Sequence, residues 1–214
     1  MFRSIGQARS GNLMERDELQ ELHYITLICN VASIMQHGIL SHVRAQGVEH
    51  QSVAMQEIQD RRAPKSVPRG RPLHEYANLY ICGRNPMLYT RLDQREQICI
   101  LAVSTDILDL PGVVITDRNA GKDLPRFGAA PEGLRIVNRD LTFAEFWTSP
   151  DVIEYRRRKG AKCAEVLIPD QVDPRFIRGA YVSCEQAKAN IEALNTGLEV
   201  RIDEHLFFLG GTRT

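Results

Sequence analysis

Between residues 64 and 72 the chain carries Pro64, Pro68, Gly70 and Pro72. No helix or central strand can run through that segment, because each proline fixes φ and removes a backbone donor. The segment separates two kinds of pattern. Before it stand one apolar strand, residues 22–26, and two short helical stretches. After it most apolar runs are short and have a period of two. Helices early and strands late predict an α+β fold rather than a doubly wound parallel sheet.

In more detail, Asn30 is placed to cap a helix over 31–36, and Gly38 stands where such a helix ends. A loop is expected over 41–50. Ser52 can cap a second helix, from 53 to about 62, which Pro64 stops. Residues 78–82, 97–103, 113–116, 163–168, 180–183, 198–202 and 205–209 read as strands. Residues 143–147 and 151–158 read as helical pieces. The polar residues 1–20 read as a mobile tail, with a short helix over 14–22, ahead of a single domain at 21–214.

Composition removes several function classes. With 214 residues, 43% of them hydrophobic, the chain can bury a core without disulfides or metals. Lys and Arg balance Asp and Glu at 27 each, so any nucleic-acid site must be a local patch. Cys29, Cys82, Cys99, Cys163 and Cys184 form no CxxC, and they read as reduced thiols of a cytosolic protein. The cysteines and histidines show no paired ligand spacing, so no metal is expected. No apolar stretch approaches the ~20 residues that cross a bilayer, and Arg3 and Arg9 are followed by no signal-like apolar core. The expected location is therefore cytoplasmic, with no membrane partner. Neither GxGxxG nor GxxxxGK[ST] occurs, so the two common phosphate-cradling loops are missing.

Three features carry possible chemistry. Ala54, Ile58 and Arg62 are spaced four apart and share one helix face, which ends in an arginine. Such an arginine pairs with a carboxylate at the core edge, or faces a cleft as a fixed cationic fork. Arg61, Arg62, Lys65, Arg69 and Arg71 form one basic run, and Arg156–Lys159 with Lys162 form another. Both can be solvated faces, or the walls of a phosphate-binding cleft. In the strand at 163–168, Cys163, Glu165 and Leu167 share one face, and Ala164, Val166 and Ile168 the other. A carboxylate in that setting needs a partner or a purpose, so Glu165 is either half of a structural ion pair or a catalytic acid. Tyr80, Met87 and Tyr89 offer surfaces on which a ring could stack, or fill the core. His74 reads as a loop histidine.

The residues at 58–63, followed by Val67-Pro68, resemble the DarT family of DNA ADP-ribosyltransferase toxins. So do Leu73-His74, the run at 80–89 with its Pro86-Met87-Leu88-Tyr89, Thr116-Asp117-Arg118 and Ala164–Leu167. Ile25-Thr26, Asn30 and Ile34 are similar to that family's first strand and helix, and order and spacing agree from about 22 to 169. The resemblance implies a split, mainly antiparallel sheet with flanking helices and NAD as co-substrate in the cleft. It implies transfer of ADP-ribose to a base in single-stranded DNA, most simply thymidine, with a macrodomain antitoxin as reversing partner. Guanine in DNA, RNA and protein are the alternative acceptors.

By that resemblance Glu165 stabilises the oxocarbenium-like centre formed when the nicotinamide bond breaks, and Arg62 holds phosphate or the acceptor base. His23, Tyr24, Thr26 and Asn30 fall at the NAD-binding positions, and Tyr80 would stack on nicotinamide. Arg61, Met87, Tyr89 and Asn119 fall on the acceptor side. Three departures stand out. His23-Tyr24 reverses the family's usual Tyr-His. Asn119 stands where some members carry histidine. Cys163 replaces the Glu or Gln of the arginine-directed branch.

Overall fold

The computed structural model describes residues 13–52 and 56–210. Ten strands appear among them: β1 Glu21–Leu27, β2 Ile39–Leu40, β3 Tyr76–Tyr80, β4 Ile98–Ser104, β5 Val114–Thr116, β6 Phe127–Ala129, β7 Glu165–Pro169, β8 Gln171–Val172, β9 Ile177–Val182 and β10 Glu199–Ile202. The helices are α1 Val31–His37, α2 His42–Ala45, α3 Gln56–Arg62, α4 Pro86–Tyr89, α5 Arg139–Phe143, α6 Val152–Ala161 and α7 Glu185–Glu192. Eight strands form one sheet in the order β10-β9-β4-β1-β3-β7-β5-β6, and β2 pairs with β8. Only β10 and β9 are parallel neighbours among the described strands. This is the expected α+β fold with a mainly antiparallel sheet.

The sheet is split at its centre. Strand β1 pairs with β4 along its whole length, from Glu21↔Ser104 to Leu27↔Ile98, but meets β3 at the single pair His23↔Tyr80. The halves diverge beyond that pair, and the gap is where a ligand can enter. Both faces of the sheet are covered. Leu22, Leu79, Leu101, Val103, Val166 and Ile168 belong to the larger core cluster. Ile25, Tyr80, Leu88, Ile98, Ile100 and Phe207 form a second cluster, while Val67, Leu73, Tyr76, Ala120 and Leu167 form a third. Neighbouring residues of β7 thus go to different clusters, as the alternation at 163–168 requires.

Several local expectations change. Instead of a helix over 14–22 there is a 3₁₀ turn, Arg16–Glu18, followed by β1. Met14 and Leu19 are buried in the larger cluster, so that part of the expected tail packs on the domain. Ser41 accepts from Arg44 N and starts α2 inside the expected loop. The start of the helix expected from 53, with Ala54, lies outside the described residues; its described part is α3. The helix expected at 143–147 lies earlier, at 139–143, because Asn138 caps it by accepting from Leu141 N. Residues 205–209 turn instead of forming a strand: Leu209 N donates to Glu204 O, and Phe208 adopts φ 61°. No expectation covered α4, which Asn85 caps, β6, a three-residue pairing with β5, or α7, which has no side-chain cap.

The basic runs also resolve into parts. Lys162 is fully buried, donating to Ala144 O at 2.9 Å and Cys82 Sγ at 3.2 Å. Arg157 and Arg158 hold Glu154, Arg71 holds Asp170, and Arg61 holds Glu57. Much of both runs is therefore answered by acids, one helical turn away for Arg61, Arg157 and Arg158 and distant in sequence only for Arg71. No helix of the described residues is long and apolar enough to cross a membrane.

Candidate active site

Strand register assembles the site. His23 on β1 pairs with Tyr80 on β3, Tyr80 with Glu165 on β7, and Glu165 with Thr116 on β5. Residues directly opposite across a sheet share a face, so these four form a row across the junction of the two halves. The row lies on the face away from the larger core cluster.

Glu165 is fully buried, and each of its carboxylate oxygens is engaged. Arg62 Nη1 donates to Oε2 at 3.0 Å, Ala120 N donates to Oε2 at 3.3 Å, and Asn119 Nδ2 donates to Oε1 at 2.7 Å. Burial nevertheless raises the pKa of the Glu165 carboxyl, because desolvation outweighs the attraction of Arg62 and its hydrogen bonds. Arg62 is 4% exposed, and its Nη2 is buried without a hydrogen-bond partner. Both readings of the two residues therefore meet in one arrangement. They form an ion pair, and the free end of the arginine belongs to a cleft.

The loop after β5 holds the donors in place. Asp117 accepts from Arg118 Nε, Arg118 Nη2, Arg126 N and Arg126 Nε. Burial pushes Asp117 up, but these bonds win and keep its pKa below the usual value. Asn119 Oδ1 accepts from Gly121 N at 2.9 Å, which fixes which end of the amide faces Glu165. Gly121 has no side chain for a spatial reason: a Cβ there would sit 2.8 Å from Arg62 Cγ. Gly121→Ala is expected to push Arg62 off Glu165 and to lower activity by about 100-fold, since a misplacement of about 1 Å is enough for that. Single-turnover kinetics with the purified variant check it; an unchanged rate would show that the loop yields.

A cavity of about 520 Å³ opens at the split, a size suited to a small-molecule site. Of the residues singled out in the sequence, Tyr24, Thr26, Asn30, Arg61, Arg62, Tyr80, Met87 and Asn119 line it. Glu165 stands just behind Arg62 and Asn119. Two others lie apart. His23 Nε2 is 3.2 Å from Glu21 Oε1, and its ring packs on Gly83, outside the lining. Tyr89 points away from the cavity and is 53% exposed. Asn30 does not cap α1 with its side chain. It donates to Thr26 Oγ1 and Gln51 O and accepts from Gln51 N, tying the loop before α3 to the end of β1. Burial pushes the Tyr24 phenol up to about 12, so it stays neutral.

The lining also includes His74, read from the sequence as a loop histidine, and residues assigned no role from the sequence. His42 and His74 stack with centroids 4.2 Å apart, and His74 is held below its usual pKa by burial and by His42. Arg91, Lys122 and Lys159 add cations to the wall. Of these three cations only Lys159 had a sequence signal, as a member of a basic run. Among the described residues, no group of three or more His, Cys, Asp or Glu could hold a metal ion.

A family profile described as "ssDNA thymidine ADP-ribosyltransferase, DarT" matches residues 23–208. The chain belongs to the DarT family. A DNA ADP-ribosyl transferase–DNA ADP-ribosyl glycohydrolase fusion protein of Thermosipho africanus is 35% identical over 204 residues, covering 89% of this chain and 50% of the relative. The chain thus spans about half the length of that fusion protein. The solved structure of Thermosipho africanus DarTG in complex with ADP-ribose superposes with a TM-score of 0.77 at 33% identity, covering 89% of this chain and 51% of that one. Thermus sp. 2.9 DarT in complex with ADP-ribosylated ssDNA gives a TM-score of 0.78 at 25% identity, covering 91% of this chain and 99% of that one. The DarT family match runs from within β1 to the turn after β10, so His23 and every later residue of the site fall inside it.

Proposed function

We propose that this chain transfers ADP-ribose from NAD to thymidine in single-stranded DNA and releases nicotinamide. One observation carries the reading: in a DarT-family chain, Arg62, Asn119 and Glu165 converge in a buried cluster behind a cavity at the split of the sheet. The cavity suits NAD. Arg61 and Lys122 offer cations for a diphosphate, Thr26 and Asn30 offer polar atoms, and Arg62 Nη2 lacks a partner that a ligand oxygen could supply.

The chain's own residues divide the work. Glu165, ionised, supplies negative charge to the ribose as the nicotinamide bond weakens. Arg62 keeps that carboxylate charged and offers its remaining nitrogen to the acceptor or a phosphate. Tyr80 covers nicotinamide with its ring, and Met87 borders the acceptor base. Asn119 belongs to the acceptor side by family position, while its amide also steers Glu165. Tyr24 and, through β1, His23 support the NAD side, and Arg61 serves phosphate. The catalytic unit is the single domain at 21–214, with Met14 and Leu19 packed on it. Its proposed setting is the cytoplasm, where DNA and NAD are both present. A macrodomain antitoxin that removes the modification is the proposed partner, in line with the glycohydrolase fused to the Thermosipho relative.

The deciding experiment incubates the protein with labelled NAD and, in turn, single-stranded DNA, RNA and protein, then maps the product by mass spectrometry. The expected product is one ADP-ribose on thymidine. Label on guanine, or only on RNA or protein, would transfer the same NAD chemistry to another acceptor and overturn the DNA-thymidine reading.

A further inference from the structure

A cluster of aromatic rings lies beside the cavity and outside its lining. Tyr89, Trp147 and Phe208 meet edge to face, with centroids 5.6 Å apart for Tyr89–Trp147, 5.1 Å for Tyr89–Phe208 and 5.9 Å for Trp147–Phe208. The three come from distant parts of the chain: α4, the segment before α6, and the turn after β10. The Arg84 guanidinium stacks 4.0 Å from the Phe208 centroid and is partly answered by Glu145 at 3.8 Å. Tyr89 is 53% exposed, and the neighbouring Phe146 is 59% exposed. Phe208 reaches the cluster only by adopting φ 61°, a left-handed conformation that is unusual for an aromatic residue, while Phe207 beside it is fully buried. Trp147 and Phe208 are half-buried, Phe208 against the second core cluster, so core packing accounts for part of the group. It does not account for the exposed Tyr89 and Phe146 at its edge.

What covers them follows from continuity and charge. Helix α4 presents Met87 to the cavity and Tyr89 to the rings, and Thr90 and Arg91 continue the cavity wall. A ligand that passes over Met87 therefore meets Tyr89 next. Arg91 and Lys159 stand along that wall as cations. Flat π-faces beside cations are what a single-stranded nucleic acid requires: bases stack on the rings, and phosphates lie against the charges. Resting on the reading under Proposed function, we propose that Tyr89, Trp147 and Phe208 form a stacking platform for the unmodified base that flanks the acceptor nucleotide.

Trp147 is the only tryptophan in the chain, so its emission reports on this surface alone. Titrating the full chain, without NAD, with a short thymidine-containing oligodeoxynucleotide is expected to quench that emission. The same oligonucleotide with abasic sites flanking its thymidine is expected not to. Tyr89→Ala and Trp147→Ala should each raise the KM for the oligonucleotide by about tenfold or more while the KM for NAD holds. Tyr89→Phe, which keeps the ring, should restore the wild-type KM. If the protein modifies single-stranded DNA yet Trp147 emission does not respond and both alanine variants keep the oligonucleotide KM, the platform is overturned while the transferase reading stands. Loss of self-association in the alanine variants, with emission blind to DNA, would assign the rings to a second copy of this chain and also overturn it. If no single-stranded DNA is modified and label enters RNA or protein instead, the underlying reading fails first.

Discussion

Glu165→Gln is expected to lower the rate of ADP-ribose transfer by about 1,000-fold, which corresponds to about 4 kcal/mol of transition-state stabilisation. The change keeps shape and removes charge. Gln Oε1 can still accept from Asn119, but an amide nitrogen then faces Arg62 Nη1, where a carboxylate oxygen now accepts. Nicotinamide release and oligonucleotide mass, followed in parallel, check it; a variant with full activity would remove Glu165 from the mechanism. The wild-type pH profile should carry the same residue's mark. Because burial raises the Glu165 pKa and the ionised form is the active one, the acid limb should lie above the ordinary glutamate range. It should vanish in Glu165→Gln.

Arg62→Ala has the largest expected effect on stability. The pair is almost fully buried, with side-chain exposures of 5% and 0%, so removing the arginine leaves a buried carboxylate with only Asn119 and Ala120 as donors. Breaking a buried pair in this way costs about 3–5 kcal/mol, which for a domain of this size lowers Tm by about 10 °C or more. The loss has a direction in pH. Without Arg62 the folded pKa of Glu165 rises further above its unfolded value, so the native state holds the extra proton. Stability then falls as pH rises from the ordinary glutamate pKa through the raised one. The variant should therefore be less impaired at pH 5 than at pH 8. Arg62→Met combined with Glu165→Leu removes both charges and should be more stable than Arg62→Ala alone, though equally inactive. Thermal melts of the three proteins at both pH values complete the test. A double variant less stable than the single would mean that the pair is held for stability rather than for chemistry.

Some of this was legible without coordinates. The alternation at 163–168 placed Glu165 among apolar neighbours, and four-residue spacing placed Arg62 at the inward end of its helix, because those periods are properties of the local backbone. Either residue could then have been an isolated structural charge. Family motifs joined them, and the order of those motifs anticipated the split sheet. What local pattern could not supply was register. That His23, Tyr80, Glu165 and Thr116 stand in one row depends on pairings between strands up to about ninety residues apart. The same limit explains the misplaced strand at 205–209, where hydrophobicity was read correctly but the chain turns to bury Phe207 and leave Phe208 half-buried against the same cluster.

The sequence by itself determined the fold class and the family, and it singled out Glu165 and Arg62 as candidates, because each is written in residue type, spacing or motif order. Only the tertiary structure decided that Arg62, Asn119 and Ala120 all donate to Glu165. It also brought Gly121 against Arg62, took His23 and Tyr89 out of the cavity lining, and gathered Tyr89 with Trp147 and Phe208. Those are contacts between segments far apart in the chain, and they are fixed by how the two halves of the sheet pack rather than by any local preference.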